Sequence, residues 1–256
     1  MSIVRPLPFL DHPRPFAFAH RGGGLEAEEN TMPAFEGAAT LGFTHVELDV
    51  HATRDGVVVI HHDDTLERMA DDRRAIADLD WSALRQVRTR GGAGVPQLEE
   101  LLSSFPDLFV NIEPKSERVL APLAALLQRH EAVARIGIGC FNPQRTAHMC
   151  ELLGGEVAWS PAHAGVLRLW LSGWGLPAGR FGFPMVQVPT QFHGIPVVTR
   201  RFVKAAHARG IQVHVWTVDE EAEMERLLDM GVDALMTDRP RLLRAVMQRR
   251  GQWHGR

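Results

Sequence analysis

The sequence contains no tyrosine and only two cysteines, Cys140 and Cys150. Two cysteines make neither a disulfide framework nor a CxxC metal site. The missing tyrosine, beside abundant alanine and arginine, reads as base composition and says little about chemistry. No apolar run approaches the roughly 18 residues of a membrane span. Prolines at positions 6, 8, 13 and 15 break up Met1–Pro15, so the uninterrupted apolar stretch of about 7–15 residues that a secretory signal needs is absent. Neither sign of charge dominates: 28 Lys+Arg stand against 31 Asp+Glu, a net charge of −3. The doublets Arg73-Arg74, Arg200-Arg201 and Arg249-Arg250 are scattered, which argues against a nucleic-acid partner. These absences predict a cytoplasmic globular protein of a reducing compartment, with peripheral membrane contact left open and no signal for an oligomeric state.

What is present is a chain of 256 residues, 45% hydrophobic, long enough to bury a full core. Short β-branched runs alternate with helical patterns, the mark of βα units and a parallel sheet. Strands are predicted near Phe16–Ala19, His45–Val50, Phe109–Glu113, Arg135–Cys140, Val157–Trp159, Met185–Val188, Gln212–Trp216 and Ala234–Thr237. Eight strands with intervening helices predict an α/β chain folded as a (β/α)₈ TIM barrel. Val57–His61 follows His45–Val50 too closely for a parallel crossover and is read as a hairpin partner. Asn30-Thr31 before Pro33 predicts a capped helix start, and Gly42 its end. Helices are also expected over Phe202–Arg209 and Glu220–Met230. Polar residues 65–106, with Gly91-Gly92-Ala93-Gly94 and a short Leu98–Leu102 helix, read as an insertion on the barrel mouth. The whole of 1–256 is taken as a single domain.

Functional residues of such barrels gather at the C-terminal strand ends. In His45–Val50, Glu47 and Asp49 share one face and Val46, Leu48 and Val50 the other. Two carboxylates would then point into the barrel, where an unpaired charge costs several kcal/mol or more. A hard divalent cation resolves that cost, and so does a salt bridge to Arg or Lys. Glu113 adds a third carboxylate, and Lys115 follows for an anionic ligand. His20-Arg21-Gly22-Gly23-Gly24 brings an imidazole, a guanidinium suited to phosphate, and glycines that permit close backbone approach. Of His61 and His62, strand parity lets only one reach the site, and two opposed imidazoles flanking a phosphate suit acid/base work.

Together these residues resemble the glycerophosphodiester phosphodiesterase family of phospholipase-C-like barrels. The resemblance rests on His20-Arg21-Gly22, Glu29-Asn30-Thr31, Glu47-Leu48-Asp49-Val50, Asp55-Gly56, His62-Asp63, Glu113-Pro114-Lys115, Val215-Trp216-Thr217 and Thr237-Asp238-Arg239-Pro240, in the family's order. It implies a distorted barrel, His20 and His62 as the acid/base pair, and one divalent cation, Mg²⁺ or Ca²⁺, on Glu47, Asp49 and Glu113. It further implies Arg21 and Lys115 at the phosphate, Trp216 beside the glycerol, and Asn30 in a supporting role, with a helix cap alone as the alternative. Departures are Glu28 for a frequent proline, Cys140-Phe141 for Ser-Phe, and Asp219 for a common asparagine. The implied reaction is metal-dependent hydrolysis of a glycerophosphodiester to sn-glycerol 3-phosphate and an alcohol. An alternative is lysophospholipase D-type cleavage of lysophospholipids. A non-catalytic phosphodiester-binding barrel would be marked by loss of a histidine or carboxylate, and all five are present.

His45 is expected to be a hydrogen-bonded core residue, and His51 to lie nearer the mouth. Residues 165–174 as a helix set Val166, Leu167, Trp170, Leu171 and Trp174 on one stripe. The favoured expectation is an outer helix burying that stripe against the sheet. The alternative is an apolar rim that receives an acyl chain or touches a membrane.

Overall fold

A computed structural model describes residues 7–255; of the segment expected to lack a signal sequence, Met1–Pro6 lie outside them. The strands are β1 (Phe16–His20), β2 (His45–Ala52), β3 (Val58–Ile60), β4 (Thr65–Leu66), β5 (Asp72–Ala75), β6 (Phe109–Pro114), β7 (Ile136–Ile138), β8 (Ala158–Trp159), β9 (Met185–Pro189), β10 (Gln191–Phe192), β11 (Ile195–Pro196), β12 (Gln212–Trp216) and β13 (Ala234–Thr237). Eight of them run parallel in the order β8-β7-β6-β2-β1-β13-β12-β9, with β3 antiparallel on β2. The eight-stranded expectation and the hairpin are both met. The barrel is nearly closed. Between its end strands, Gln187 N donates to Ser160 Oγ at 2.8 Å.

Period-two alternation sorts the side chains as expected. Val46, Leu48, Val50, Val110, Ile112, Val213, Val215 and Leu235 face outward into the main core beneath the helices. Phe16, Phe18, Met185, Ala234 and Met236 face inward and pack with Phe9, which plugs the lower end. His45 sits in that plug, stacked on Phe109 with centroids 4.9 Å apart. Its Nε2 donates to Phe9 O at 3.2 Å, and Nδ1 lies 2.9 Å from Thr44 Oγ1. The core role predicted for His45 holds.

Helices follow their predicted signals closely. Thr31 caps Met32–Thr40, its side chain accepting from Ala34 N. Arg200–His207 is capped by Thr199, and Glu221–Met230 ends at Gly231, whose φ is 83°. The insertion holds the β4–β5 hairpin and the helix Leu98–Ser104. A small apolar cluster of its own, including Leu66, Ile76 and Leu84, packs on Val59 of β3. Among the described residues no helix is long and apolar enough to cross a membrane.

Candidate active site

Strand register stacks the inward side chains in rows. His20 pairs with Glu47 across β1 and β2, Glu47 with Asn111 across β2 and β6, and Asp49 with Glu113 one row higher. These rows open into a cavity of about 660 Å³ at the C-terminal ends of the strands, which His20, Arg21, Glu47, His62, Glu113, Lys115 and Trp216 all line. Residues scattered from 20 to 216 are thereby brought to one place.

Each imidazole is held by a carboxylate. His20 Nδ1 donates to Asp238 Oδ1 at 2.8 Å, and its Nε2 lies 3.5 Å from Glu47 Oε2. Burial alone would depress the His20 pKa, but Glu47 and Asp238 more than reverse this and raise it to about 9. His62 Nδ1 donates to Asp63 Oδ1 at 2.6 Å, leaving Nε2 for the cavity. Asp63 in turn accepts from Arg68 Nε, and Arg68 Nη2 donates to Glu29 Oε1 at 2.7 Å. The same Glu29 oxygen accepts from Arg21 Nη1 at 3.1 Å. One cation of the insertion thus ties the His62 carboxylate to the partner of Arg21.

His61 turns away as parity requires: it is buried, with Nε2 donating to Thr65 O at 3.2 Å. His51 supports the site from behind, its Nε2 donating to His62 O at 3.2 Å.

The carboxylates carry unequal burdens. Burial works against the Asp49 charge, yet Lys115 first and Arg21 next hold its pKa below the ordinary range. Lys115 Nζ lies 2.8 Å from Asp49 Oδ1 and 2.9 Å from Glu113 Oε2. Asn30 Nδ2 donates to Asp49 Oδ2 at 2.9 Å. Asn30 is therefore a partner of Asp49, and Thr31 rather than Asn30 is the helix cap. The countercharges of Glu47 are His20, whose Nε2 is 3.5 Å away, and Arg21. Burial, joined by Asp49 and Glu113 against the attraction of His20, pushes the Glu47 pKa up to about 7.

As arranged, Lys115 bridges Asp49 and Glu113, and no three His, Cys, Asp or Glu side chains among the described residues converge as a metal cluster. The donor set nonetheless suits a hard cation. It consists of three carboxylates on adjoining rows, one of them the buried Glu47, whose charge His20 and Arg21 offset only in part.

Gly22 and Gly23, at φ of 82° and 105°, make the close backbone approach expected of them, against Ala34 and Pro240 of two helices. One sequence reading is corrected here. The helix His163–Ser172 buries Leu169 and Ser172. Val166, Leu167 and Trp170 of the apolar stripe instead line the cavity, beside Phe192, Ile195 and Val197. The outer-helix expectation holds only in part: Val166 and Trp170 pack partly against the main core, while the face as a whole opens on the cavity mouth.

Sequence reasoning did not assign Asp238, Asp63, Arg68 or Glu29 to the site, although three of them stand within its quoted motifs. Nor did it give Glu28 a role. Glu28 accepts from Thr89 Oγ1 at 2.6 Å and Gly91 N at 2.8 Å, pinning the insertion to the first loop. Asp219 accepts from Asp238 N at 2.8 Å and so steadies the carboxylate of His20.

Comparison with known proteins bears on the family and the fold. The glycerophosphoryl diester phosphodiesterase family model matches residues 20–144 and 181–242. A probable glycerophosphodiester phosphodiesterase of Mycobacterium tuberculosis is 41% identical over 254 residues, covering 96% of both chains. A human lysophospholipase D is 29% identical over 270 residues, covering 88% of this chain and 84% of its own. The crystal structure of a putative glycerophosphoryl diester phosphodiesterase from Silicibacter pomeroyi superposes with a TM-score of 0.80 at 20% identity, covering 96% of this chain and 99% of its own. The chain belongs to the glycerophosphoryl diester phosphodiesterase family, phosphoric diester hydrolases that act on glycerophosphodiesters.

Proposed function

We propose that His20 and His62 carry out acid/base hydrolysis of a glycerophosphodiester to sn-glycerol 3-phosphate and an alcohol, with one divalent cation, Mg²⁺ or Ca²⁺, on Glu47, Asp49 and Glu113. The observation that carries this reading is the pairing of both imidazoles with carboxylates at Nδ1, in a cavity lined by both histidines. Such a partner fixes the tautomer and leaves Nε2 to exchange a proton with the reacting group. His20, whose pKa is raised to about 9, is placed to protonate the leaving alkoxide. His62 takes the proton of the nucleophile, either water or a neighbouring glycerol hydroxyl whose cyclic product water then opens. This kind of help is typically worth roughly 10²–10⁴-fold.

Glu47, Asp49 and Glu113 would hold the cation, which would supply charge neutralisation at the phosphate. Arg21 and Lys115 contact phosphate, Trp216 forms the wall beside the glycerol, and Asn30 holds Asp49 in place. Two free cysteines fit the cytoplasmic placement we propose. Incubation with deacylated glycerophosphodiesters, followed by coupled detection of glycerol 3-phosphate, tests the reading. Release that disappears in both His20→Ala and His62→Ala supports it; unchanged release in either contradicts it.

A second reading, cleavage of lysophospholipids, is favoured by one observation. Beyond Trp216 the cavity is walled by Val166, Leu167, Trp170, Phe192, Ile195 and Val197, room that a bare polar head group does not need. Val166→Ser combined with Ile195→Ser then lowers turnover of a lysophospholipid while sparing glycerophosphocholine. Equal loss on both substrates excludes it.

A further inference from the structure

Six of the seven large apolar side chains that stand largely exposed among the described residues are Phe141, Leu167, Trp174, Leu176, Phe192 and Ile195. They are not scattered. Phe141, Leu167, Phe192 and Ile195 ring the cavity mouth, and His163 lies between Phe141 and Phe192, with centroids 5.6 and 5.2 Å away. Trp174 continues the rim, 5.8 Å from Trp170, and is 60% exposed. Contiguous exposed apolar surface of this kind marks an interaction site rather than ordinary surface variation.

The stretch of chain that carries most of the rim is basic. Residues 157–218 contain five arginines and one lysine and no aspartate or glutamate, in a chain whose net charge is −3. Arg201 lies over the Trp174 ring at 3.9 Å. Arg168 lies over Phe181 at 4.7 Å and donates to Arg180 O at 2.9 Å. Arginines therefore flank the apolar rim directly. The rim helix also falls in residues 145–180, the stretch the family model leaves unmatched between its two segments.

We propose that this rim docks on an anionic lipid surface, setting the cavity mouth against the headgroup layer. Exposed tryptophan and leucine beside arginine are the composition of a surface that enters the interfacial region of a bilayer. Anionic headgroups complement the basic flank. A second copy of the chain does not, because a two-fold contact through this face sets its arginines against one another. The docking reads independently of the catalytic assignment, since it is measured with no substrate present.

The experiment is co-sedimentation of the full chain with phosphatidylcholine vesicles, with and without phosphatidylglycerol, at low and high salt. Binding to the phosphatidylglycerol vesicles at low salt, weakened by added salt, is expected. Trp174→Ser with Leu176→Ser lowers the bound fraction roughly tenfold or more, as loss of buried apolar side chains dictates. Arg201→Glu lowers it by at least about fivefold, the effect of one basic side chain at an anionic surface. Glycerophosphocholine turnover in solution is unchanged in all these variants, none of which lines the cavity. Wild-type protein that stays in the supernatant with both vesicle types overturns the proposal. So does wild-type-like binding by the variants. A dimer that the same substitutions dissociate, without vesicle binding, assigns the rim to a second copy and also overturns it.

Discussion

Asp238 accepts a hydrogen bond from His20 across 2.8 Å, although the two residues are 218 positions apart in sequence. Because the carboxylate only accepts, Nδ1 of His20 carries the proton and Nε2 is the atom presented to the site. Asp238→Asn keeps the shape but removes the charge and the tautomer preference. We expect kcat to fall roughly 10²-fold or more with a much smaller change in KM, since the histidine would still stand in place. Steady-state kinetics with a soluble glycerophosphodiester decides this, and an unchanged kcat would show that the contact is structural only.

The two adjacent histidines of the hairpin separate sharply. His62→Ala should abolish most turnover while leaving the melting temperature near wild type, because the side chain is half-exposed and packs little. His61→Ala should do the reverse: a loss of roughly 1 kcal/mol or more of stability from its buried bond to Thr65 O, with most activity retained. Thermal melts and initial rates on both variants check it. The opposite pattern would place the catalytic face of the hairpin on His61.

Removing a carboxylate charge tests the cation site. Glu47→Gln, Asp49→Asn and Glu113→Gln should each weaken metal binding and turnover strongly. Glu47→Gln should also leave the metal-free protein at least as stable as wild type near neutral pH, because its carboxyl is already pushed up to about 7. Calorimetric titration with Mg²⁺ and Ca²⁺ alone, with no substrate, reads the binding directly. Undiminished cation affinity in all three variants would remove the proposed ligands.

Acid should unfold the barrel from its lower end. Burial lowers the pKa of His214 from 6.5 to about 4, and Asp233 offsets this only in part. A folded state that keeps this ring neutral binds fewer protons than the unfolded chain. Stability is therefore fully present above about pH 6.5 and is lost as pH falls toward about 4, by on the order of 3 kcal/mol from this group. Denaturant unfolding of wild type and His214→Phe at pH 7.5 and pH 4.5 isolates it. The variant should lose less stability on acidification, and parallel losses would contradict the assignment.

The barrel was legible in the sequence because its strands alternate strictly. Val46, Leu48 and Val50 against Glu47 and Asp49 declare which face meets the helices and which the barrel interior before any contact is known, although both are buried. The insertion was less so. Its strands Thr65–Leu66 and Asp72–Ala75 are short and polar, and their pairing depends on a local cluster rather than on periodicity. Asp238 and Arg68 escaped assignment for a different reason, since their roles exist only through partners brought near by the closed barrel. The helix His163–Ser172 shows the limit most clearly. Its apolar stripe was visible, but periodicity states which face is apolar and not whether that face meets a core or an open cavity.

Release of glycerol 3-phosphate from glycerophosphocholine, followed by a coupled assay through chelation and metal return, tests the central claim most directly. The account predicts turnover by the wild-type protein that stops with EDTA and resumes with Mg²⁺ or Ca²⁺, and little turnover by Glu47→Gln under any of these conditions. Sustained turnover in EDTA, matched by Glu47→Gln, would contradict it.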